Sequence, residues 1–359
     1  MYLAGERPDA RPPLAEPSFA PAPSLDESDL FLLARHALPL YGLGDADLAP
    51  IRFINNAVFE VAPSDGADRL VLRVHRPSFR TPAQTRSELQ FLAVLDRQLR
   101  GTRVTVPRPL PALDGELLVE VSATVHGERV RRHCDLLTWV EGRVLRPTRG
   151  LGPRHTFRLG EALGRIHTVA EAFQPPVEFE LPRWDADAFF TPASPFQPGR
   201  LERLLSREEW KLVQDVAKRT RAAFAELEGR GERLQIIHAD YILGNCRFSR
   251  RGRQWHLGVL DFDDLGWGYC AYDLAPLLGN IADFPNYTML RRFFLDGYRS
   301  VRDLPVDAEP HLPVLMAARH VAAGAWLAGM ERSGEARVPV AEHLAIRMQQ
   351  IRECLALPR

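Results

Sequence analysis

The chain has 359 residues, enough for two or three domains of ordinary size, and 45% of them are hydrophobic and 26% charged. This length and composition exclude a small disulfide-stapled scaffold and a wholly disordered chain. Lysine plus arginine and aspartate plus glutamate each number 46, so the net charge is zero, which argues against nucleic acid or an anionic membrane as a partner. Four widely spaced cysteines, with neither a secretion signal nor an apolar run of about 20 residues, predict a cytoplasmic protein.

The N-terminal segment is rich in proline. Residues 1–24 contain six prolines among Ala, Arg and Ser, a mixture that buries too little apolar surface to fold, so we predict a disordered tail. Ser24-Leu25-Asp26-Glu27 then has the S-x-x-E form of a capping box, and apolar residues follow it at helical spacing. These features predict a first helix that ends near Leu40.

The hydrophobic period changes to two between residues 51 and 140, which is typical of strands. The runs richest in strand-forming residues are 57–61, 70–75, 116–121 and 134–139. They indicate an antiparallel sheet, with a turn at Ser64-Asp65-Gly66. One helix interrupts the sheet and continues to about Leu99, because Thr81-Pro82-Ala83-Gln84 combines an N-cap threonine, a proline at the first helical position and a capping-box glutamine.

After Gly142 the pattern becomes mainly helical, apart from residues 234–263, which indicate three short strands. The predicted helices lie near residues 154–173, 201–229, 287–301, 309–331 and 339–355. We therefore predict an α+β fold with two lobes. Residues 25–139 form a small antiparallel β-sheet lobe with one main helix, and residues 140–359 form a larger, mostly helical lobe.

Polar side chains stand at the ends of two of these apolar strands. Asp240 comes just after the first strand, Asn245 lies five residues on, and Asp261 ends a later strand. A carboxylate and a carboxamide that face one cleft supply hard oxygen ligands, which suit Mg²⁺ held jointly with phosphates. This pattern predicts a metal-assisted phosphate site.

The two polar motifs, taken in this order, resemble those of a known family. His238-x-Asp240-x-x-x-x-Asn245 followed by Asp261-Phe262-Asp263 is similar to the motif pair of protein-kinase-like phosphotransferases. More narrowly, it resembles the aminoglycoside phosphotransferase and choline kinase-like superfamily, with its homoserine kinase-like and bacterial stress-response kinase relatives. The matching segments also include Val71–Pro77, Leu159–His167, Gly266–Gly268 and Tyr272–Ala275.

The resemblance covers roughly residues 25–350 and implies a bilobal protein-kinase-like fold with ATP and Mg²⁺ as cofactors. It implies that Asp240 orients the acceptor hydroxyl and accepts its proton, while Asn245 and Asp261 bind Mg²⁺ on the ATP phosphates. Asp263 is then an additional or water-bridged metal ligand. His238 and Asp273 are expected to brace the catalytic loop rather than take part in the reaction.

In the N-terminal lobe, Arg73 stands where this family usually has a lysine that contacts the α- and β-phosphates. Glu88, on the following helix, shares an apolar stripe with Leu92, Leu95 and Leu99, and a carboxylate in that position needs a partner. We therefore predict an Arg73–Glu88 ion pair. Arginine keeps its charge but is not geometrically equivalent to lysine, which puts the efficiency of the reaction in question rather than its identity.

Two further segments correspond to nucleotide-binding parts of the family. Asn55 and Asn56 take the place of the glycine-rich phosphate loop, where their backbone amides cap phosphates or simply form a turn. The segment 136–142 resembles the interlobe hinge, so the backbones of Thr138 and Val140 are predicted to meet the adenine edge. Trp139 lies either in the cleft or in the core.

Part of the second motif also resembles that of another enzyme class. The Asp261-Phe262-Asp263 segment also resembles the D-x-D motif of haloacid-dehalogenase-type phosphatases, but those enzymes need a later lysine and none follows Lys218. Three functions are left: a small-molecule kinase, a protein Ser/Thr kinase of the stress-response type, and a nucleotide-binding pseudokinase. The intact motif residues argue against the last.

Two features of the sequence bear on the identity of the acceptor. The stretch from Asp261 to Asp273 holds no clear activation-segment phosphosite, which favours a small-molecule acceptor over a protein. Residues 311–359 contain four Glu, no Asp and six Arg. We therefore expect a neutral or anionic acceptor rather than a polycationic aminoglycoside. The sequence leaves the acceptor and the oligomeric state open.

Overall fold

The computed structural model describes residues 25–54, 56–77, 80–146, 148–190, 201–332 and 339–357. The predicted tail, residues 1–24, and the candidate phosphate-binding residue Asn55 lie outside these ranges.

Twelve strands occur in the described ranges: β1 (Asp47–Phe53), β2 (Ala57–Ala62), β3 (Leu70–Val74), β4 (Val104–Thr105), β5 (Pro109–Leu110), β6 (Val119–Val125), β7 (Glu128–Thr138), β8 (Arg183–Trp184), β9 (Gln235–Ile237), β10 (Cys246–Arg251), β11 (Gln254–Val259) and β12 (Gly266–Gly268). Six of them form an antiparallel sheet in the order β1-β2-β3-β7-β5, with β6 also paired to β7. Its register sets Arg73 of β3 directly opposite Asp135 of β7. The other six strands form two three-stranded sheets, β10-β11-β4 and β8-β12-β9.

The helices in the described ranges are α1 (Glu27–Ala37), α2 (Pro82–Leu99), α3 (Pro153–Ala172), α4 (Ala186–Phe190), α5 (Leu201–Leu204), α6 (Arg207–Gly229), α7 (Cys270–Ile281), α8 (Tyr287–Arg299), α9 (Ala308–Arg332) and α10 (Val340–Ala356). Together with the antiparallel sheet they confirm the predicted α+β class and its chain order. The predicted cap of α2 is also confirmed, since Thr81 and Gln84 form a capping box.

Two local predictions are wrong. The first helix is capped by Asp26, whose side chain accepts from the backbone N–H of Ser28 and Asp29, so the capping box begins two residues later than the S-x-x-E pattern indicated. The helix predicted over residues 201–229 is broken, because Ser206 caps a new helix with Glu209. In both cases a second capping residue close by competes with the one that the pattern favours.

Two apolar cores organise these elements. The smaller core joins α1 to the six-stranded sheet through residues such as Leu33, Phe59 and Leu72. The larger core joins the C-terminal helices, and it also takes the apolar stripe of α2, including Leu92 and Leu95. Helix α2 therefore packs with the C-terminal part of the chain although it lies within the sheet region of the sequence. The lobe boundary at residue 139 stays a prediction.

Helices α3 and α8 approach each other at two glycines. A Cβ on Gly160 would lie 1.8 Å from the backbone oxygen of Phe294, and a Cβ on Gly297 would lie 2.0 Å from that of Phe157. Only glycine allows this close approach. The contact packs the N-terminal half of α3, which carries Phe157 and Gly160, closely against α8. Within the described ranges, no helix combines the length and apolarity needed to cross a membrane.

Candidate active site

The loop after β9 carries Asp240, and Asp273 at the start of α7 holds this loop. Asp273 accepts hydrogen bonds from the backbone N–H groups of His238 at 2.8 Å and Ala239 at 2.7 Å. Ala239 has a φ of +62°, a left-handed conformation that is unfavourable for a non-glycine residue and that these bonds help to stabilise. His167 of α3 donates to the same carboxylate at 2.9 Å from Nε2. The predicted bracing role of Asp273 is confirmed.

His238 connects the two polar motifs. Its Nε2 donates to the backbone oxygen of Leu260 at 3.0 Å, next to Asp261, and its Nδ1 accepts from the backbone N–H of Asp240 at 3.3 Å. Both ring nitrogens are thus used by the backbone. The predicted structural role of His238 is confirmed.

The Asp240 carboxylate is held by two side chains. Asn245 donates from Nδ2 to Oδ2 at 2.9 Å, and Arg319 of α9 donates to Oδ1. Burial lowers the pKa of Arg319, but the charge of Asp240, its hydrogen bond and the nearby Tyr272 and Asp264 together outweigh burial, and the net shift is upward. Each carboxylate oxygen keeps a second lone pair, so Asp240 remains able to accept a proton from a bound hydroxyl.

Asn245 and Asp261, the predicted metal ligands, are brought together by the β10–β11 hairpin. The backbone N–H of Leu260 donates to the backbone oxygen of Asn245 at 2.8 Å, and Asn245 and Asp261 line one cavity. The Asn245 amide nitrogen faces Asp240, and no described residue donates to its Oδ1. Asp261, at a φ of +65°, accepts from Arg52 at 3.0 Å through Oδ2.

An amide oxygen and a carboxylate oxygen are therefore available at this point, which fits a hard cation such as Mg²⁺. Among the residues that the structure describes, no three His, Cys, Asp or Glu side chains converge as a metal site. A cation here would need phosphate oxygens to complete its coordination, as the sequence motif implies. Metal binding by Asn245 and Asp261 stays a prediction.

Arg73 lies at the centre of a buried cluster of charges. Its Nη1 donates to Glu88 at 2.8 Å and to Asp263 at 2.6 Å, and its Nε and Nη2 donate to Asp135 at 3.0 and 2.9 Å. The predicted Arg73–Glu88 ion pair is confirmed, and the sequence analysis missed its two other carboxylates. Burial raises the pKa of Asp135, but the charges and hydrogen bonds of Arg73 and His75 together outweigh burial, and the net shift is downward.

These contacts limit what Arg73 can bind. A guanidinium has five N–H groups, and Arg73 directs one from Nε, two from Nη1 and one from Nη2 to carboxylates, which leaves one on Nη2 for a phosphate. Asp263 uses its other oxygen to accept from Asn56 Nδ2 at 2.6 Å. Both Asp263 oxygens thus have protein partners, and its role as a metal ligand, like the role of Asn56 in phosphate binding, stays a prediction.

A cavity of about 230 Å³ lies between the sheet and the β10–β11 hairpin. Val58, Val71, Leu137 and Leu260 form apolar walls, while Arg73, Asn245 and Asp261 line its polar end. Thr138 and Val140, predicted to meet an adenine ring, both line it, and so does Trp139.

In the segment predicted to be the interlobe hinge, two of the backbone N–H groups that line this cavity already donate to other backbone oxygens. The backbone N–H of Thr138 donates to the backbone oxygen of Arg108, and that of Trp139 donates to the backbone oxygen of Arg69. No described residue accepts from the N–H of Val140. Val140 therefore offers the donor that an adenine edge would use.

A second cavity, of about 370 Å³, adjoins the first, and Arg52 and Asp261 line both. It contains Asp240 and Asp264, and the α9 residues Ala322, Trp326 and Leu327 form an apolar wall. Burial, followed by the charge of Asp240, raises the pKa of Asp264 to about 7. Besides Arg52, its lining contains the arginines Arg319 and Arg347, and His343 also lines it.

Arg319 and Arg347 were not predicted as site residues from the sequence. Arg319 lies in the almost wholly apolar run from residue 312 to 330, where an isolated Arg-His pair is the one visible signal. Arg347 lies on α10 one turn after His343, and both line the cavity. In the described ranges these arginines carry the positive charge that α9 and α10 supply to the cavity.

His320, next to Arg319, gives a testable pH dependence of stability. It is buried, and its Nδ1 accepts from Arg347 at 3.4 Å. Burial and the charges of Arg347 and Arg319 lower the pKa of His320 to about 3. The unfolded chain, with a histidine pKa of about 6.5, therefore binds a proton that the folded protein does not, and stability is lost as the pH falls from about 6.5 to about 3.

As the pH falls from 6 to 4, we expect protonation of His320 in the unfolded chain to lower the free energy of unfolding by about 1.4 kcal/mol per pH unit. Urea unfolding of the wild type and of His320→Gln, whose amide oxygen can still accept from Arg347, measures the effect. The variant should lose less stability on acidification. Parallel pH profiles for the two proteins would contradict the assignment.

Comparison with known proteins gives a consistent result. The model of a family described as "Phosphotransferase enzyme family" matches residues 48–309. An uncharacterized protein of Deinococcus radiodurans is 30% identical over 299 residues, which cover 81% of this chain and 78% of the relative. The homoserine kinase of Paraburkholderia phytofirmans is 28% identical over 245 residues, or 63% of this chain and 66% of the relative.

Solved structures support the same fold. A microcompartment-associated aminopropanol kinase has a TM-score of 0.71 and 26% identity, with 91% of this chain and 96% of that chain covered. An amicoumacin kinase in complex with AMP-PNP, Ca²⁺ and Ami has a TM-score of 0.69 and 18% identity, with 92% and 93% covered. The predicted kinase-like fold is confirmed.

Proposed function

Because this chain belongs to the phosphotransferase enzyme family, as its paired motifs predicted, and acts on hydroxyl acceptors, we propose that it transfers the γ-phosphate of Mg²⁺-bound ATP to a small molecule. The observation that carries the proposal is the arrangement of Asp240, Asn245 and Asp261. They lie where a cavity suited to a nucleotide meets a second cavity suited to an acceptor.

The nucleotide would occupy the 230 Å³ cavity. Its adenine edge would accept from the Val140 N–H between the apolar walls, and the remaining N–H of Arg73 would point to a phosphate oxygen. Asn245 Oδ1 and Asp261 would hold Mg²⁺, which neutralises phosphate charge when bound. Asp261 has one oxygen on Arg52, so its Oδ1 is the oxygen available for the metal.

The acceptor would occupy the 370 Å³ cavity with its hydroxyl at Asp240. Asn245 and Arg319 fix the carboxylate on both sides, so Asp240 needs no reorganisation before it takes the hydroxyl proton. The apolar wall formed by α9 excludes water from the acceptor. A cavity of this volume suits a small molecule better than a protein segment.

The experiment incubates the protein with Mg²⁺, γ-labelled ATP and a whole-cell extract, beside Asp240→Asn, and then separates the products by size. We expect Asp240-dependent label in the small-molecule fraction, where mass spectrometry identifies the product. Label that appears only on macromolecules would show that the protein-kinase alternative is correct. Label in neither fraction would contradict phosphotransfer.

A further inference from the structure

The acceptor cavity contains carboxylates, but each is already paired with an arginine. Asp240 accepts from Arg319, Asp261 from Arg52 at 3.0 Å, and Asp264 from Arg80 at 3.3 Å. Among the described residues of the lining, no carboxylate is therefore left to bind a cationic group of an acceptor. An ammonium group in this cavity would have to compete with a guanidinium for its partner.

Arg347, in contrast, is an arginine of this cavity whose side-chain partners carry no negative charge. Its side chain donates to His320 Nδ1 at 3.4 Å and to Gln350 Oε1 at 3.0 Å, and both partners are neutral groups. No carboxylate of the described chain lies within ion-pair distance of it. Burial and the charge of Arg319 lower the pKa of Arg347, and the charge of Asp240 opposes them only in part. A half-buried guanidinium without an anion is unfavourable unless a ligand supplies one.

The position of Arg347 indicates what that ligand is. Arg347 and Asp240 line the same cavity, so one small molecule can place a hydroxyl at Asp240 and an anionic group at Arg347. Its carbon chain would then lie along Trp326 and Leu327. One unpaired guanidinium balances a single negative charge, which fits a carboxylate rather than a phosphate dianion.

We propose that the acceptor is a small hydroxy acid whose carboxylate binds Arg347 while its hydroxyl lies at Asp240. The assignment rests on the proposed function, because the phosphotransferase reaction is what makes this cavity the acceptor site. It adds a substrate class and a specificity residue to that function. His343, one turn before Arg347, would border the same carboxylate.

Binding is measured first, so that the result does not depend on turnover. The full chain, with Mg²⁺ and a non-hydrolysable ATP analogue, is titrated by calorimetry with ω-hydroxy carboxylates of three to six carbons. Each is compared with its neutral amide and with the amino alcohol of equal length. We expect a carboxylate to bind about 10- to 100-fold more tightly than its amide, as a charge-assisted hydrogen bond predicts.

Variants then assign the effect to Arg347. In Arg347→Gln the carboxylate and amide should bind equally, and Arg347→Lys should keep part of the difference. Arg352→Gln, on the exposed side of the same helix, is the matched control and should bind like the wild type. The inference fails if amides or amino alcohols bind as tightly as carboxylates, or if the preference survives in Arg347→Gln.

Turnover of the tightest-binding compound separates this inference from the proposed function. Arg347-dependent phosphorylation, with KM for the acceptor raised in Arg347→Gln and KM for ATP unchanged, would support both. Arg347-dependent binding without any phosphorylation would contradict the proposed function but leave the carboxylate site intact. Phosphorylation of neutral or cationic compounds alone would support the function and overturn the inference.

Discussion

Replacement of Asp240 by asparagine is expected to lower kcat by about 10³-fold. The amide retains the shape of the side chain and an oxygen that can accept from Asn245 or Arg319, but it does not take the hydroxyl proton. The affinity for the Mg²⁺-bound nucleotide should stay close to that of the wild type, because Asp240 lines the 370 Å³ cavity and not the 230 Å³ cavity proposed for the nucleotide. Steady-state kinetics with the identified acceptor, together with nucleotide titration, measure both quantities.

The control for this variant is Asp303→Asn, which removes an exposed carboxylate that lines neither cavity. It should leave kcat unchanged. Because Asp240→Asn also deprives Arg319 of its carboxylate, urea unfolding must establish that the variant is folded. A folded Asp240→Asn protein whose kcat stays within about tenfold of wild type would show that Asp240 is not the catalytic base.

Replacement of Arg73 by methionine is expected to lower the free energy of unfolding by about 3–5 kcal/mol. Methionine fills much of the same space but leaves Glu88, Asp135 and Asp263 buried without the cation that pairs with all three. Arg73→Lys, which keeps the charge with fewer donors, should lose less and should fold even if the methionine variant does not. Urea unfolding at pH 7 measures the three proteins.

Arg69→Met is the matched control, four residues earlier. Arg69 pairs with Glu60 at 3.3 Å and Glu141 at 2.7 Å, but its side chain is 44% exposed. Ion pairs of this kind contribute at most about 1 kcal/mol, so the loss should be small. Equal losses at positions 69 and 73 would mean that the buried cluster contributes no more than a surface pair. Arg73→Met should also weaken binding of the Mg²⁺-bound nucleotide.

The site residues that could be predicted from the sequence are those whose position follows from the strand or helix that carries them. Asp240, Asn245 and Asp261 stand at strand ends. The contact between Arg73 and Glu88 was predicted from the resemblance, which sets Arg73 at the position of the family's lysine, together with the apolar helical stripe that carries Glu88. The β1 strand was not predicted as a separate element, because most of its residues are exposed and its pattern does not alternate. Where both faces of a strand meet solvent, hydrophobic period carries no signal.

The missed site residues depend on long-range pairing. Asp135 reaches Arg73 across 62 residues, through a strand register that neither strand specifies alone. Arg319 reaches Asp240 across 79 residues, through the packing of α9 against α7. In both cases the sequence shows a charged residue in an apolar segment, which indicates a buried partner but does not identify it.

The charge cluster around Arg73 also bears on how the protein unfolds. Arg73 and Asp135 belong to the sheet of the smaller core, whereas Glu88 lies on α2, whose apolar stripe belongs to the larger core. Neither core can lose its structure without leaving unpaired buried charges in the other. The two cores are therefore thermodynamically coupled through Arg73 and the three carboxylates that pair with it, those of Glu88, Asp135 and Asp263. The protein should denature as a single cooperative unit although its hydrophobic residues form separate clusters.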